Sequence, residues 1–143
     1  AESCTGGLIG PRLTNVPGSS HYVEGGVIAY SNHLKMSMID VSEKTLERYG
    51  AVSANTAREM AQGVRRRIGS DLGLAVTGIA GPGGGSEEKP VGTVYLGLSA
   101  GDALFAGGYR FRGNRTEVKM NSATMALDWI RRCLNGDPFL PGI

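Results

Sequence analysis

LGLAVTGIAGPGGGSEEKPVGTVYLGLSAGDALFAGGYRFR, running from Leu72 to Arg112, is the stretch on which the fold turns. It holds three apolar runs of strand length, Leu72 to Ile79, Val91 to Ser99 and Leu104 to Arg112. All three are rich in aliphatic and aromatic side chains. A glycine loop, Gly81 to Pro90, separates the first two, and the Gly101-Asp102 pair marks a tight turn before the third. The pattern predicts an antiparallel meander.

Helices are expected on both sides of this sheet. Downstream, Val118, Ala123, Ala126, Leu127 and Ile130 recur at helical spacing, which predicts an amphipathic helix over Glu117 to Leu134. Upstream, Ser53 is a cap for a helix whose Ala57, Met60, Ala61, Val64 and Ile68 form one apolar face and which stops at Gly69. A shorter helix follows Ser42 and ends at Gly50, and Ser31 and Asn32 are N-cap candidates for another through Ile39. Gly25 to Tyr30 reads as a buried strand, and Gly6 to Asn15 as a short helix closed before Pro17. The expected fold class is α/β: a single domain over residues 1–143, layered α/β/α around one mixed sheet with the meander in its second half.

Composition narrows the function classes. The 143 residues are 41% hydrophobic and 20% charged, enough for one domain with a real core. A net charge of +2 and 6% aromatic residues give no nucleic-acid surface, and the basic run Arg65-Arg66-Arg67 falls in a helical pattern where a solvated face is expected. No apolar run approaches the roughly 20 residues that span a bilayer, so no membrane partner is expected. No signal peptide opens the chain. Two cysteines, Cys4 and Cys133, lie far apart without a C-x-x-C pair or a histidine cluster, so neither a metal site nor a disulfide framework is indicated. A reducing, cytoplasmic setting fits that usage. Twenty-three glycines are about twice the usual share, without a collagen period.

Each polar candidate has an ordinary reading beside a chemical one. Ser3 in AESCTGG could cap a helix or act as a nucleophile; Cys4 is ordinarily a small buried hydrophobe. His21 and His33 have no spacing that recommends them as ligands or bases. Lys35 would ordinarily be a solvated helix residue, and Tyr30 a half-buried strand aromatic. The loop from Thr77 to Ser86 fails both the P-loop pattern and G-x-G-x-x-G. Its glycines could bring backbone N–H groups to an anion with Arg115 as a bidentate partner, and they serve equally as a hairpin loop.

Taken together the segments are more specific. AESCTGG at residues 1–7, TNVPGSS at 14–20, GGVIAYSNHLK at 25–35, GAVS at 50–53 and AVTGIAGPGGGSEEKPVGTVY at 75–95 resemble, in order, the C-terminal domain of competence/damage-inducible protein A, the nicotinamide mononucleotide amidohydrolase family. Members usually carry a helix and a first strand ahead of the serine motif. Nothing precedes Ala1 here, so the strand that should hold Ser3 is expected to be missing; the large N-terminal domain of longer members is also absent from this sequence.

The resemblance implies deamidation of nicotinamide mononucleotide to nicotinic acid mononucleotide and ammonia, with no cofactor. It makes Ser3 the nucleophile and Lys35 its base, with Tyr30 lining the ring pocket or tuning Lys35. Thr5, Gly6, Gly7, Thr77, Gly78, Gly83 and Arg115 would bind the substrate, and the N–H groups opening the glycine-led helix would hold the oxyanion. Such a pair needs no histidine, because a buried lysine loses its proton more readily. The assembly expected is a homo-oligomer, a dimer. Two alternatives stand beside this reading: a ligand-binding module without turnover, and a protein-interaction domain serving DNA uptake or repair. Ammonia release separates the first reading from both.

Overall fold

The computed structural model describes residues 1–138. The meander is present: β1 (Leu72–Gly78), β2 (Thr93–Ala100) and β3 (Ala103–Arg110) form an antiparallel sheet in the order β1-β2-β3. Leu72 lies opposite Ala100 and Thr93 opposite Arg110, with Gly101 and Asp102 making the turn into β3. Two parallel bridges enlarge the sheet, since Glu2 pairs with Val76 on one side and Ile28 on the other. The sheet is therefore mixed.

Five helices flank it: α1 (Ile9–Thr14), α2 (Asn32–Ile39), α3 (Glu43–Tyr49), α4 (Ala54–Ile68) and α5 (Arg115–Asn135). Caps explain most of their boundaries. The side chains of Ser31, Ser42 and Ser53 accept from the backbone N–H of Leu34, Thr45 and Thr56. α5 opens on a full capping box between Asn114 and Glu117. Gly69 closes α4 with a φ of 79°, a left-handed conformation that a side chain resists.

The helices lie in two layers. On one face Ile9 of α1 and Val118, Ala123, Ala126 and Trp129 of α5 pack with Val76, Val94, Leu96 and Leu98 of the sheet. Ile39 of α2 and Met60, Ala61 and Val64 of α4 pack on the other face, around Ala29, Val41 and Ala75. The α/β/α layering is as expected.

Three local expectations fail, each for a physical reason. Gly25 to Tyr30 is not a buried strand: Ile28 alone forms a bridge and is 53% exposed, because among the described residues Glu2 is its sole partner and the outer edge is unpaired. The first helix is shorter than Gly6 to Asn15, because Gly6 and Gly7 take φ values of 61° and 102° and keep the chain in a turn until Ile9. Arg65 is not wholly solvated; its guanidinium donates to the carbonyls of Ser70 and Gly101 and joins α4 to the sheet's turns.

Ala1 to Ser3 form a short segment paired on both sides. Val76 N donates to Ala1 O at 3.0 Å and Ser3 N donates to Val76 O at 2.9 Å. On the opposite side Glu2 N donates to Val27 O, and Ala29 N to Glu2 O, each at 2.9 Å. Ser3 is thus held on a paired segment.

α4 sits unusually close to the strands. A Cβ on Gly97 of β2 would stand 2.1 Å from the carbonyl oxygen of Ala57, and one on Gly73 of β1 would stand 2.3 Å from that of Ala61. Backbone cannot yield as a side chain does. Gly97→Ala should therefore destabilise the fold by about 1–3 kcal/mol, the usual range for overpacking. Gly10→Ala, with nothing within 4 Å of the new methyl, should be neutral or mildly stabilising. Denaturant titration of both variants checks this; equal stabilities would mean that α4 does not depend on the contact.

Candidate active site

The Lys35 side chain comes from the first turn of α2 and is 1% exposed, the opposite of a solvated helix lysine. Its Nζ lies 3.0 Å from Ser3 Oγ, 3.0 Å from Ala29 O and 3.0 Å from Tyr30 O. Both carbonyls belong to the segment that bridges to Glu2. The Ser31 cap then turns the chain back, so that α2 places Lys35 over the two residues it has just left. Burial pushes the Lys35 amine below the ordinary lysine value, with Cys4 nearby pulling the other way.

Two N–H bonds to the carbonyls leave one tetrahedral direction of Nζ, and that direction faces Ser3. A neutral amine so oriented aims its lone pair at the serine hydroxyl. The dyad has the geometry of nucleophile and general base.

Ser3 is 7% exposed and sits where the paired segment ends. Burial pushes the neighbouring Cys4 thiol up to about 11, so it stays protonated and unreactive near neutral pH. Ser3 does not cap α1. The residue at the cap position, Leu8, offers no side-chain bond, and the carboxylate of Glu2 serves instead. It accepts from the backbone N–H of Gly7 at 3.2 Å, of Ile9 at 3.0 Å and of Gly10 at 3.4 Å. The donors at the helix start, expected to face an oxyanion, are therefore occupied. Gly6 N donates to Ser3 O and Leu8 N to Thr5 O. Among the described residues the amides of Cys4 and Thr5 take no backbone acceptor.

A cleft of about 220 Å³ opens over the dyad, lined by Ser3, Tyr30 and Lys35, by Thr77 and Gly78 at the end of β1, and by Arg115 at the start of α5. Six of the expected site residues thus meet in one place. The Thr77 hydroxyl donates to Ala51 O at 2.7 Å, which brings the loop before α4 against the cleft. Tyr30, expected to be half-buried, is 58% exposed and stands at the lip. Its hydroxyl accepts from Arg115 Nη2 at 3.2 Å, while Arg115 Nη1 donates to Gly81 O at 2.6 Å. The arginine therefore links the lip to the glycine loop.

The other expected residues lie off the cleft wall. Thr5 is fully buried, and its Oγ1 is the buried side-chain polar atom without a partner among the described residues. Gly6 and Gly7 form the turn behind Ser3, and Gly83 is in the exposed part of the loop. No cluster of metal-ligating side chains occurs among the described residues, and no helix among them is long and apolar enough to cross a membrane.

Two residues escaped the sequence reading. Glu2 carries no motif signal beyond its place beside Ser3. Lys119, one helical turn after Arg115, has its Nζ 3.7 Å from where a Cβ on Gly6 would stand. Its i, i+4 relation to Arg115 was available in the sequence as a signal.

Comparison with known proteins identifies the family and the fold. The CinA C-terminal domain model matches residues 1–134. The chain is 53% identical over 134 residues to a CinA-like protein of Syntrophotalea carbinolica, covering 94% of this chain and 32% of that one. It is 51% identical over 135 residues to a putative competence-damage inducible protein of Halothermothrix orenii, covering 94% and 33%. The chain thus spans about a third of the length of these relatives. The crystal structure of competence/damage inducible protein CihA from Agrobacterium tumefaciens superposes with a TM-score of 0.90 at 44% identity, covering 94% of this chain and 82% of that one. A CinA superfamily protein from Escherichia coli does so with 0.89 at 32%, covering 92% and 77%. With a match over nearly its whole length, this chain belongs to the CinA C-terminal domain family.

Proposed function

We propose that the chain is an amidohydrolase that deamidates nicotinamide mononucleotide through a Ser3-Lys35 dyad. The observation that carries this is a buried lysine amine 3.0 Å from a serine hydroxyl at the floor of an open cleft. Burial favours the neutral amine, which takes the proton of Ser3 as Oγ attacks the carboxamide carbon. Negative charge builds on the carboxamide oxygen, where Ser3 and Cys4 line the cleft; one backbone N–H donor there is worth about 3 kcal/mol in the transition state. Lys35 returns the proton to the departing nitrogen and ammonia leaves. Water then gives a proton to Lys35 while attacking the ester carbon, and Lys35 passes that proton to Ser3 Oγ as the acyl–oxygen bond breaks, which frees Ser3 and nicotinic acid mononucleotide.

The cleft is smaller than the roughly 300 Å³ at which ligand pockets usually begin, so it takes the pyridine end and leaves the phosphate at the mouth. Arg115 and Lys119 stand on that side of α5, and Arg115 keeps guanidinium N–H groups beyond the two that it already uses.

Ser3→Ala should abolish ammonia release, by roughly a thousandfold or more, and leave mononucleotide binding intact. Cys4→Ala should be mild, since a protonated thiol takes no part. A calorimetric binding curve beside the ammonia assay checks both, and a large loss in the cysteine variant would move the nucleophile.

Lys35→Arg should be as damaging as Lys35→Met, because a guanidinium is always protonated and cannot accept the serine proton. In the wild type, kcat/KM should rise with pH as Lys35 loses its proton. The rise should level off below the ordinary lysine value, because the folded-state pKa is lowered. A profile that falls with rising pH would assign the activity to a different ionisation.

Arg115→Ala should raise KM sharply for the mononucleotide and do little for nicotinamide riboside, which has no phosphate. Measuring kcat/KM for both substrates decides it: equal losses would mean that Arg115 holds the loop and does not read the phosphate.

A further inference from the structure

The turn that carries Ser3 contains two adjacent glycines, Gly6 and Gly7, both at positive φ. Glycine has the largest conformational freedom of any residue, so such a turn wanders unless something holds it. Within Ser3 to Gly7 the sequence offers no proline, and its one β-branched residue, Thr5, precedes both glycines and does not restrain them. A nucleophile displaced by about 1 Å can lose on the order of 10²-fold in rate. The restraint must come from elsewhere.

Glu2 is placed to supply it. Its backbone is fixed on the sheet, donating to Val27 O and accepting from Ala29 N. Its carboxylate, nearly buried at 9% exposure, reaches around the turn to Gly7, Ile9 and Gly10. The contacts close a ring: residue 2 is tied to the residues just after the turn, with Ser3 to Gly6 enclosed. Charged acceptors at a helix start are the stronger kind of cap. One contact falls on Gly7 itself, and thereby removes freedom from the second glycine. The Gly6 N–H to Ser3 O bond, at 3.0 Å, completes the fold of the turn.

The same carboxylate decides which donors face the substrate. With the N–H groups of Gly7, Ile9 and Gly10 bound to Glu2, the start of α1 is closed to any other anion.

We propose that Glu2 is a positioning residue, whose carboxylate locks the glycine turn so that Ser3 Oγ stays in line with Lys35. For its effect on turnover this rests on the amidase reading; for the turn itself it does not.

Three variants of the full chain test it, each followed by kinetics on nicotinamide mononucleotide and by hydrogen exchange of the backbone amides. Glu2→Gln keeps one acceptor oxygen for Gly7 and Ile9 and should retain kcat within about threefold. Glu2→Asp keeps the charge but is one methylene shorter and loses its reach. It should fall with Glu2→Ala, by on the order of 10²-fold in kcat with KM little changed. In both, amide exchange should accelerate at residues 4–10 while β1 to β3 stay protected. If Glu2→Ala does not fold, the aspartate variant carries the comparison with glutamine alone.

Faster exchange in the aspartate variant with wild-type kcat would overturn the positioning role and leave Glu2 a helix cap. Unchanged exchange would overturn the clamp. A wild-type protein that releases no ammonia refutes the amidase reading, and the exchange comparison still decides whether Glu2 holds the turn.

Discussion

The two-sided pairing of Ala1 to Ser3 is the constraint from which the candidate site follows. Val76 bonds this segment on one side, Val27 and Ala29 on the other, so three pieces of chain run parallel through the middle of the fold. Each ends at the cleft. The first delivers Ser3, the second presents the carbonyls of Ala29 and Tyr30, and β1 ends at Thr77 and Gly78. Crevices beyond the carboxyl ends of parallel strands are where α/β folds gather ligands, and a short bridge suffices to create one here. The antiparallel meander contributes rigidity rather than chemistry. Its strands β2 and β3 extend the sheet away from the cleft, and α4 is locked against it through close backbone contacts at Gly73 and Gly97.

Much of this architecture was legible in the residues. Strands and helices with strong periodicity and a cap, such as β1, α4 and α5, stand where alternation, helical spacing, Ser53 and Gly69 put them, with end shifts of a residue or two. Elements without a local signal did not reveal themselves. Residues 25–30 have strand composition, yet a strand also needs partners, and only Glu2 provides one. Ala1 to Ser3 is too short to show a period, so its place in the sheet depends on contacts distant in sequence. The cleft was readable in part. Ser3, Lys35 and Arg115 follow from the motifs, but the burial of Lys35 is a tertiary fact: its own helix carries no acidic partner, and its acceptors are backbone oxygens. Glu2 was invisible for a similar reason, because all its side-chain partners are backbone amides.

Burying a lysine is unfavourable when the amine is charged, and the chain offsets this without a carboxylate. A neutral amine at Lys35 has two N–H groups, and two carbonyls stand to receive them at equal distances of 3.0 Å. A carboxylate in their place would hold the proton on the amine and remove its basicity. Carbonyl dipoles orient the amine while leaving burial to set its charge. The third direction then serves both protonation states: the amine lone pair accepts from Ser3, or the ammonium donates to the serine oxygen, across the same 3.0 Å. A proton can pass in either direction without any heavy atom changing place. What such a dyad needs is that Ser3 does not drift from that direction, and the fold meets the need through backbone pairing of the segment and the Glu2 carboxylate closing the turn behind it.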